Sequence, residues 1–336
     1  MDTFRLKVGL IGAGRMGQLY ARIINESRMA QIVALVGNTP EKTEAVAQKF
    51  NVVGYPNGDY ASLWQHDLDA VIIATPEWDH LTPTLQAFEH DCHVLLEKPM
   101  THTLPEAQKI YEASQANDKI GMLCHVLRFD PRFAILQQKV QAGDLGDIKH
   151  IYARRSADQA TFQRIAGRCH AAYWLSPHDV DLMRWITGAE VTQVRAHGIV
   201  DAAQISDGFF ADLWFSNGMV ARFENTWAGS GFNGVWRWGQ FDIEGTNGRA
   251  DITPSEQGMM IHKRDGSVTS PDTVGRPELH GRITGSFAAL VHHFLDAILG
   301  YADPIMTLED GLRTVEAAAA MEKSMQENRV VQIDEL

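Results

Sequence analysis

The sequence predicts an α/β protein in two parts: a doubly wound parallel sheet with helices on both faces, then an α+β domain built on a large, mostly antiparallel sheet. Three observations predict it. Over the first ~125 residues, short apolar runs alternate with helical patterns, as in a sheet covered on both faces. A glycine-rich turn, Gly12-Ala-Gly14-Arg-Met-Gly17, separates the first apolar run from the first helix. Past Phe129 the pattern changes to longer stretches that alternate with a period of two.

In chain order, strands are predicted at Lys7 to Ile11, Ile32 to Val36, Ala70 to Ala74, His93 to Leu96 and Gly121 to His125. Their β-branched runs, such as Val71-Ile72-Ile73, suit strands buried on both faces. Helices between them are predicted at Met16 to Ser27, Pro40 to Phe50, His80 to His90 and Leu104 to Asn117. A helix at Pro131 to Ala142 then leads through Gly143-Asp-Leu-Gly146 to a strand from Lys149 to Arg155. Alternation at Val191 to Val200, Phe209 to Phe215, Met219 to Trp227 and Phe241 to Glu244 predicts the antiparallel sheet, with hairpin turns at Asn217-Gly218 and Asn247-Gly248. Helices at Gly285 to Leu299 and Leu308 to Asn328 close the chain.

Composition bounds the function. With 336 residues and 45% hydrophobic content, the chain can bury a sizeable core, and its length suggests about two domains. No stretch approaches the ~20 apolar residues of a membrane span. The start Met1-Asp-Thr-Phe-Arg-Leu6 lacks the charged and apolar regions of a signal peptide, so a cytoplasmic location is the expectation. A net charge of −12 opposes general attraction to nucleic acid or anionic membranes. Cys92, Cys124 and Cys169 are widely spaced and read as free thiols rather than a disulfide framework. No metal site is expected, since His292 and His293 point to different helix faces and no H-E-x-x-H or Cys/His spacing occurs.

The glycine turn is the dinucleotide fingerprint of a Rossmann unit in its required context, after a strand and opening a helix. Gly12, Gly14, Arg15, Met16 and Gly17 are therefore expected around a pyrophosphate, with helix N-terminal amides facing the phosphates. The second strand should end in a carboxylate for the adenosine ribose, but the chain reads Leu35-Val36-Gly37-Asn38-Thr39. Without that negative charge a 2′-phosphate is not repelled, and Asn38, Thr39 and Lys42 supply donors, so NAD(P) is expected with NADP favoured. The alternative is NAD, with Asn38 alone on the ribose. Thr75 and Pro76 follow the third predicted strand at the sheet's carboxyl edge and are candidate cofactor contacts. His80 is either another contact or an ordinary first-turn helix residue.

Two further motifs carry reactive groups. Glu97-Lys98-Pro99 ends a strand and holds a lysine before proline, which favours an extended conformation there. In Ser176-Pro177-His178-Asp179-Val180-Asp181, Ser176 suits an N-cap and Pro177 the first helical position. His178 would then sit in an opening turn whose dipole disfavours imidazolium, leaving a ring able to accept a proton. Asp181, three residues on, could orient that ring. The bland reading pairs Asp181 with Arg184 and packs His178 as a structural polar residue. Arg128, Arg155, His170, Tyr173 and Trp174 are candidate substrate-pocket residues.

In order along the chain, these motifs, with His125-Val-Leu-Arg128-Phe-Asp-Pro131 and Glu309-Asp310-Gly311-Leu312, resemble the Gfo/Idh/MocA family, named for glucose–fructose oxidoreductase and inositol dehydrogenase. The likeness spans essentially the whole chain. It implies an N-terminal Rossmann domain (1–125) binding NAD(P) and a C-terminal α+β domain (126–336) for substrate and oligomerisation, whose open sheet often supports homodimers or homotetramers. It further implies that Lys98, often before a cis proline, lies between cofactor and substrate together with Glu97 in the cofactor site, and that His178 is the catalytic histidine. The loop after strand two also resembles the Gly-Asn-x-x-Lys-like loop of the glucose–fructose oxidoreductase branch. Two departures stand out: Trp174 occupies the position where inositol dehydrogenases carry an aspartate, and Glu77 the position of a frequent asparagine.

The expected activity is hydride transfer between nicotinamide C4 and a hydroxyl-bearing carbon of a sugar, inositol or related polyol. Lys98 would polarise the oxygen and His178 act as general acid or base. The alternatives are a redox-neutral sugar-modifying enzyme that keeps its cofactor, or a nucleotide-binding regulator without catalysis.

Overall fold

The computed structural model describes residues 5–165, 168–200, 206–229, 238–253 and 258–336. Met1 to Phe4, part of the segment read above for a leader, lie outside them. Among the described residues, no helix is long and apolar enough to cross a membrane.

The first half runs β1 (Leu6–Ile11), α1 (Arg15–Glu26), β2 (Ala30–Val36), α2 (Pro40–Phe50), β3 (Val53–Tyr55), α3 (Tyr60–Leu63) and β4 (Ala70–Ile73). It continues with α4 (Leu81–Glu89), β5 (His93–Leu96), α5 (Leu104–Gln115) and β6 (Gly121–Leu123). The strands form one six-stranded parallel sheet in the order β3-β2-β1-β4-β5-β6. Val8, Leu10, Ile11, Ile72 and Ile73 are buried because helices cover both faces, which is why these strands read as apolar runs. The order reverses between β1 and β4, so the carboxyl ends of these strands border the crevice where doubly wound sheets bind ligands. β3 and α3 went unpredicted: β3 is a three-residue edge strand with an exposed first residue, too short to show a period.

The second sheet is built from β7 (Ile148–Asp158), β8 (Val191–Val200), β9 (Ser206–Phe215), β10 (Val220–Gly229), β11 (Trp238–Gly245) and β12 (Arg249–Ile252). With the C-terminal strand Val331–Gln332 the order is β12-β11-β7-β10-β9-β8 and then that strand. It is antiparallel except where β10 runs parallel to β7. The two hairpins turn at Asn217-Gly218 and Asn247-Gly248, as their sequences predict: Gly218 N donates to Phe215 O at 3.0 Å and Gly245 N to Gly248 O at 2.8 Å. Helices α6 (Pro131–Gln141), α7 (Gln159–Ile165), α8 (Ala171–Trp174) and α9 (Ser176–Thr187) flank the early strands of this unit. The last two are α10 (Ser286–Ile298) and α11 (Leu308–Glu327).

The chain divides into compact units after Val126, and the division differs from a single cut: Glu278–Leu312 belongs with the first unit. The reason is packing. Ile283 N donates to Glu26 Oε2 at 2.7 Å, Phe287 lies 6.4 Å from the Tyr20 ring, and a Cβ on Gly121 would come within 2.5 Å of Leu308.

Candidate active site

Three glycines shape the turn between β1 and α1, each for a separate reason. Gly12 has φ +116, and a Cβ there would come within 2.5 Å of Ala74 O. On Gly17 a Cβ would lie 1.9 Å from Gly12 O, so the helix can close on the turn only without one. Gly14 is different: its Cβ direction is open to 4.0 Å, and it caps α1 without a side-chain hydrogen bond. The first-turn amides after Gly14, from Arg15, Met16 and Gly17, carry the positive end of a twelve-residue helix beside that opening. This cradle fits the pyrophosphate of a dinucleotide.

At the end of β2, Gly37 lets α2 close in, since a Cβ would meet Thr43 Oγ1 at 2.4 Å. Thr43 Oγ1 donates to Thr39 O at 2.8 Å, which fixes the first turn. Asn38, Thr39 and Lys42 are exposed around this helix start and are available to a ribose or its phosphate.

The loop after β4 turns inward more than the sequence suggests. Thr75 Oγ1 donates to Asp79 O at 2.9 Å, and Pro76 begins a short 3₁₀ turn over Glu77–Asp79. His80, 1% exposed, lies with Nδ1 3.0 Å from Pro99 O and 3.1 Å from Met100 O, and with Nε2 3.0 Å from Thr75 O. It stands at the start of α4, where its carbonyl accepts from Thr84 N at 3.2 Å, in line with the helix-start reading. Its ring ties the Thr75-Pro76 loop to the segment after Lys98.

Lys98 leaves the carboxyl end of β5, two strands or about 10 Å along the sheet from β1. The Lys98–Pro99 peptide is cis. Glu97, expected among the cofactor contacts, faces the protein instead: the Tyr20 hydroxyl donates to its Oε1, and its Oε2 accepts the Lys98 N–H at 2.9 Å. Burial pushes the Glu97 carboxyl above its ordinary range, against the lowering pull of Tyr20, Lys98 and His80. Burial likewise pushes the Tyr20 phenol well up, with Cys124 and Glu97 adding to it. Tyr20 had no sequence signal beyond its place on the buried face of α1.

In the second unit, α8 runs into α9 without a break. Leu175 keeps helical angles (φ −94, ψ −49) and its N–H donates to Ala171 O at 2.9 Å. Ser176 is therefore inside a continuous helix rather than a cap, so His178 does not sit in an opening turn as expected, and the Ser176 hydroxyl donates back to Ala172 O. His178 is 3% exposed and precedes two buried carboxylates, Asp179 and Asp181. Asp179 accepts from Arg155 Nε at 3.0 Å, Arg155 Nη2 at 2.7 Å and Asn225 Nδ2 at 3.3 Å. Asp181 accepts from Arg128 Nε at 3.1 Å and Nη2 at 2.5 Å, while Arg184 pairs with Glu190. Arg128 and Arg155, expected as pocket-lining cations, are thus bidentate anchors that hold the opening of α9 to the segment after β6 and to β7. Asp181, expected to orient His178, gives both oxygens to Arg128.

The remaining candidates separate by burial. His170 caps α8, its Nδ1 accepting from Ala172 N at 3.1 Å, and burial lowers its pKa, so the neutral ring carries its proton on Nε2. Tyr173 is buried, and desolvation together with Glu322 pushes its phenol up. Trp174 is half-buried, its ring centroid 5.3 Å from that of Trp227. Asn225 was missed in the sequence, although a polar residue among Ala221, Phe223 and Trp227 on one face of β10 was the available signal.

Comparison with known proteins follows the same division. The profile of an oxidoreductase family with an NAD-binding Rossmann fold matches residues 6–125, and that of the family's C-terminal alpha/beta domain matches 137–333. The chain is 26% identical over 346 residues to scyllo-inositol 2-dehydrogenase (NAD(+)) of Bacillus subtilis (strain 168), covering 98% of this chain and 97% of that one. It is 26% identical over 269 residues to 2,7-anhydro-N-acetylneuraminate hydratase of Mediterraneibacter gnavus, covering 76% and 69%. Its fold matches that of scyllo-inositol dehydrogenase from Lactobacillus casei with bound cofactor NAD(H) and scyllo-inositol, with a TM-score of 0.81, 24% identity, and coverage of 98% and 100%.

Proposed function

Because the chain belongs to the Gfo/Idh/MocA family of NAD-binding oxidoreductases, we propose that it oxidises and re-forms a carbon-bound hydroxyl on an inositol, sugar or related polyol. The observation that carries this reading is the lysine two strands from the glycine cradle, on the same carboxyl edge of one sheet. Gly12, Gly14, Arg15, Met16 and Gly17 would hold the pyrophosphate, and Asn38, Thr39 and Lys42 the adenosine ribose. When bound, the nicotinamide supplies the redox chemistry by taking or returning hydride.

The chain's own groups handle the proton and the charge. Lys98 donates a hydrogen bond to the substrate oxygen as negative charge develops there. In the oxidation direction His178 takes the hydroxyl proton, and in reduction it returns it. Glu97 and Tyr20 fix the backbone from which Lys98 projects, and the Arg155–Asp179 and Arg128–Asp181 pairs fix the helical turn that carries His178.

For the cofactor, NADP is the favoured partner, since no carboxylate ends β2 and Lys42 stands exposed at the start of α2. The test is a screen of scyllo-inositol, myo-inositol, glucose and their lactones with NAD and with NADP, read by reduced-nicotinamide absorbance. Turnover that Lys98→Ala lowers at least a hundredfold, with dinucleotide affinity kept, is the expected result. Full turnover by that variant removes Lys98 from the mechanism. A second reading, a redox-neutral elimination or hydration with retained cofactor, is favoured by the similarity to a hydratase. It requires substrate consumption with no net reduced nicotinamide.

A further inference from the structure

The helix that carries His178 also carries an aromatic wall. Helical geometry is unbroken from α8 through Leu175 into α9, so Trp174 and His178 stand one turn apart on the same side, with Cβ atoms about 5–6 Å apart. Trp174 is half-buried and leans on Trp227, 2% exposed, at 5.3 Å and 37°. Trp227 in turn meets the half-buried Phe162 at 5.7 Å and 52°. Such tilted contacts support a ring from behind and from the side while leaving part of it open.

A buried acceptor lies on the same strand face. Asn225 precedes Trp227 by two residues on β10 and is 0% exposed. Its Nδ2 points at two acceptors, Asp179 Oδ2 at 3.3 Å and Glu224 O at 3.1 Å, which fixes the amide orientation. Its Oδ1 accepts from none of the described residues. A buried acceptor left so is costly, and a hydroxyl donor, direct or through one water, relieves it. Both buried arginines are paired, Arg155 with Asp179 and Arg128 with Asp181. Burial lowers the His170 pKa, against the raising pull of Glu322.

An apolar wall, an acceptor for hydroxyl donors and arginines already paired describe one ligand chemistry. We propose that Trp174, backed by Trp227, stacks against one face of an uncharged six-membered polyol ring with equatorial hydroxyls, and so selects rings over open-chain polyols. Equatorial hydroxyls leave axial C–H groups on the ring face, an apolar patch that matches an indole. An open chain presents no such face. The inference rests on the proposed polyol activity and adds a selectivity to it.

Calorimetric titration of the protein saturated with its dinucleotide tests this, with scyllo-inositol as the ring probe and D-sorbitol as the open-chain probe. The wild type is expected to bind scyllo-inositol more tightly. Trp174→Ala should weaken that binding about tenfold and leave sorbitol unchanged, and Trp174→Phe should restore most of it. An unchanged ring affinity in Trp174→Ala, an equal loss for both probes, or a wild type that binds neither ring nor chain overturns the proposal. Turnover separates it from the reading beneath it. Trp174-dependent ring binding without any reduced nicotinamide or consumption of the ring refutes the polyol activity alone, whereas oxidation of sorbitol with no ring preference refutes the wall alone.

Discussion

Glu97 is held at both oxygens, by the Tyr20 hydroxyl and by the amide of the residue whose amine is proposed to do chemistry. Removing the Tyr20 hydroxyl leaves a buried acceptor short of a donor, which costs about 1–3 kcal/mol and loosens the backbone at Lys98. Tyr20→Phe should therefore lower kcat by about tenfold with the dinucleotide Kd unchanged, measured by steady-state kinetics and dinucleotide titration. The carboxyl itself makes a pH prediction. Because burial raises its pKa above 4.5, the folded chain binds this proton more readily than the unfolded one. The stabilising contribution is fully present below about pH 4.5 and is lost as pH rises through the folded value. Glu97→Gln does not titrate, so its Tm relative to wild type should climb over that interval. A constant difference across the interval would refute this.

At the scale of elements, the continuous α8–α9 helix hangs on two buried forks. Breaking one leaves a charge without its partner, at about 3–5 kcal/mol, whereas replacing both partners by apolar groups of similar volume is far milder. Asp179→Ala should lose that much in chemical denaturation, and Arg155→Met with Asp179→Leu should recover most of it. The cap of α8 gives a second pH signature with the opposite sign. The folded pKa of His170 is depressed by burial, so the stability that depends on its neutral form is present above about pH 6.5 and lost as pH falls through the folded value. His170→Asn keeps an acceptor for the Ala172 amide without titrating there, and its unfolding midpoint should hold in acid where the wild type declines.

These elements also show what the sequence could reveal. Parallel strands buried on both faces announce themselves as apolar runs, and Asn-Gly announces a hairpin, so β1, β4 and the turn at Asn217-Gly218 were legible. β3 was too short to carry a period, and the segment from Gln159 to Trp174 holds two helices too brief to show one. In the candidate site the motifs were local and readable, but their partners were not. Arg155 meets Asp179, and Tyr20 meets Glu97, through sheet pairing and helix packing across 24 and 77 residues of sequence. No spacing rule links such positions.

For the molecule as a whole, dinucleotide binding should read out as stability. A ligand that binds only the folded state at about 100 times its Kd adds about 2.7 kcal/mol. A Cβ at Gly17 would overlap Gly12 O and spread the cradle. Thermal unfolding with NAD or NADP should therefore show a ligand-dependent shift in the wild type and none in Gly17→Ala, and an equal shift in both would place the dinucleotide elsewhere.

The return of Glu278–Leu312 to the first unit has a consequence for the order of synthesis. The stretch that ends at Val126 leaves the ribosome long before the chain that packs on Tyr20, Gly121 and Met100 has been made. At about 5–20 residues per second, that interval is roughly 10–40 s. The nascent nucleotide-binding half must wait through it with apolar surface uncovered, a natural occasion for a chaperone that holds rather than folds.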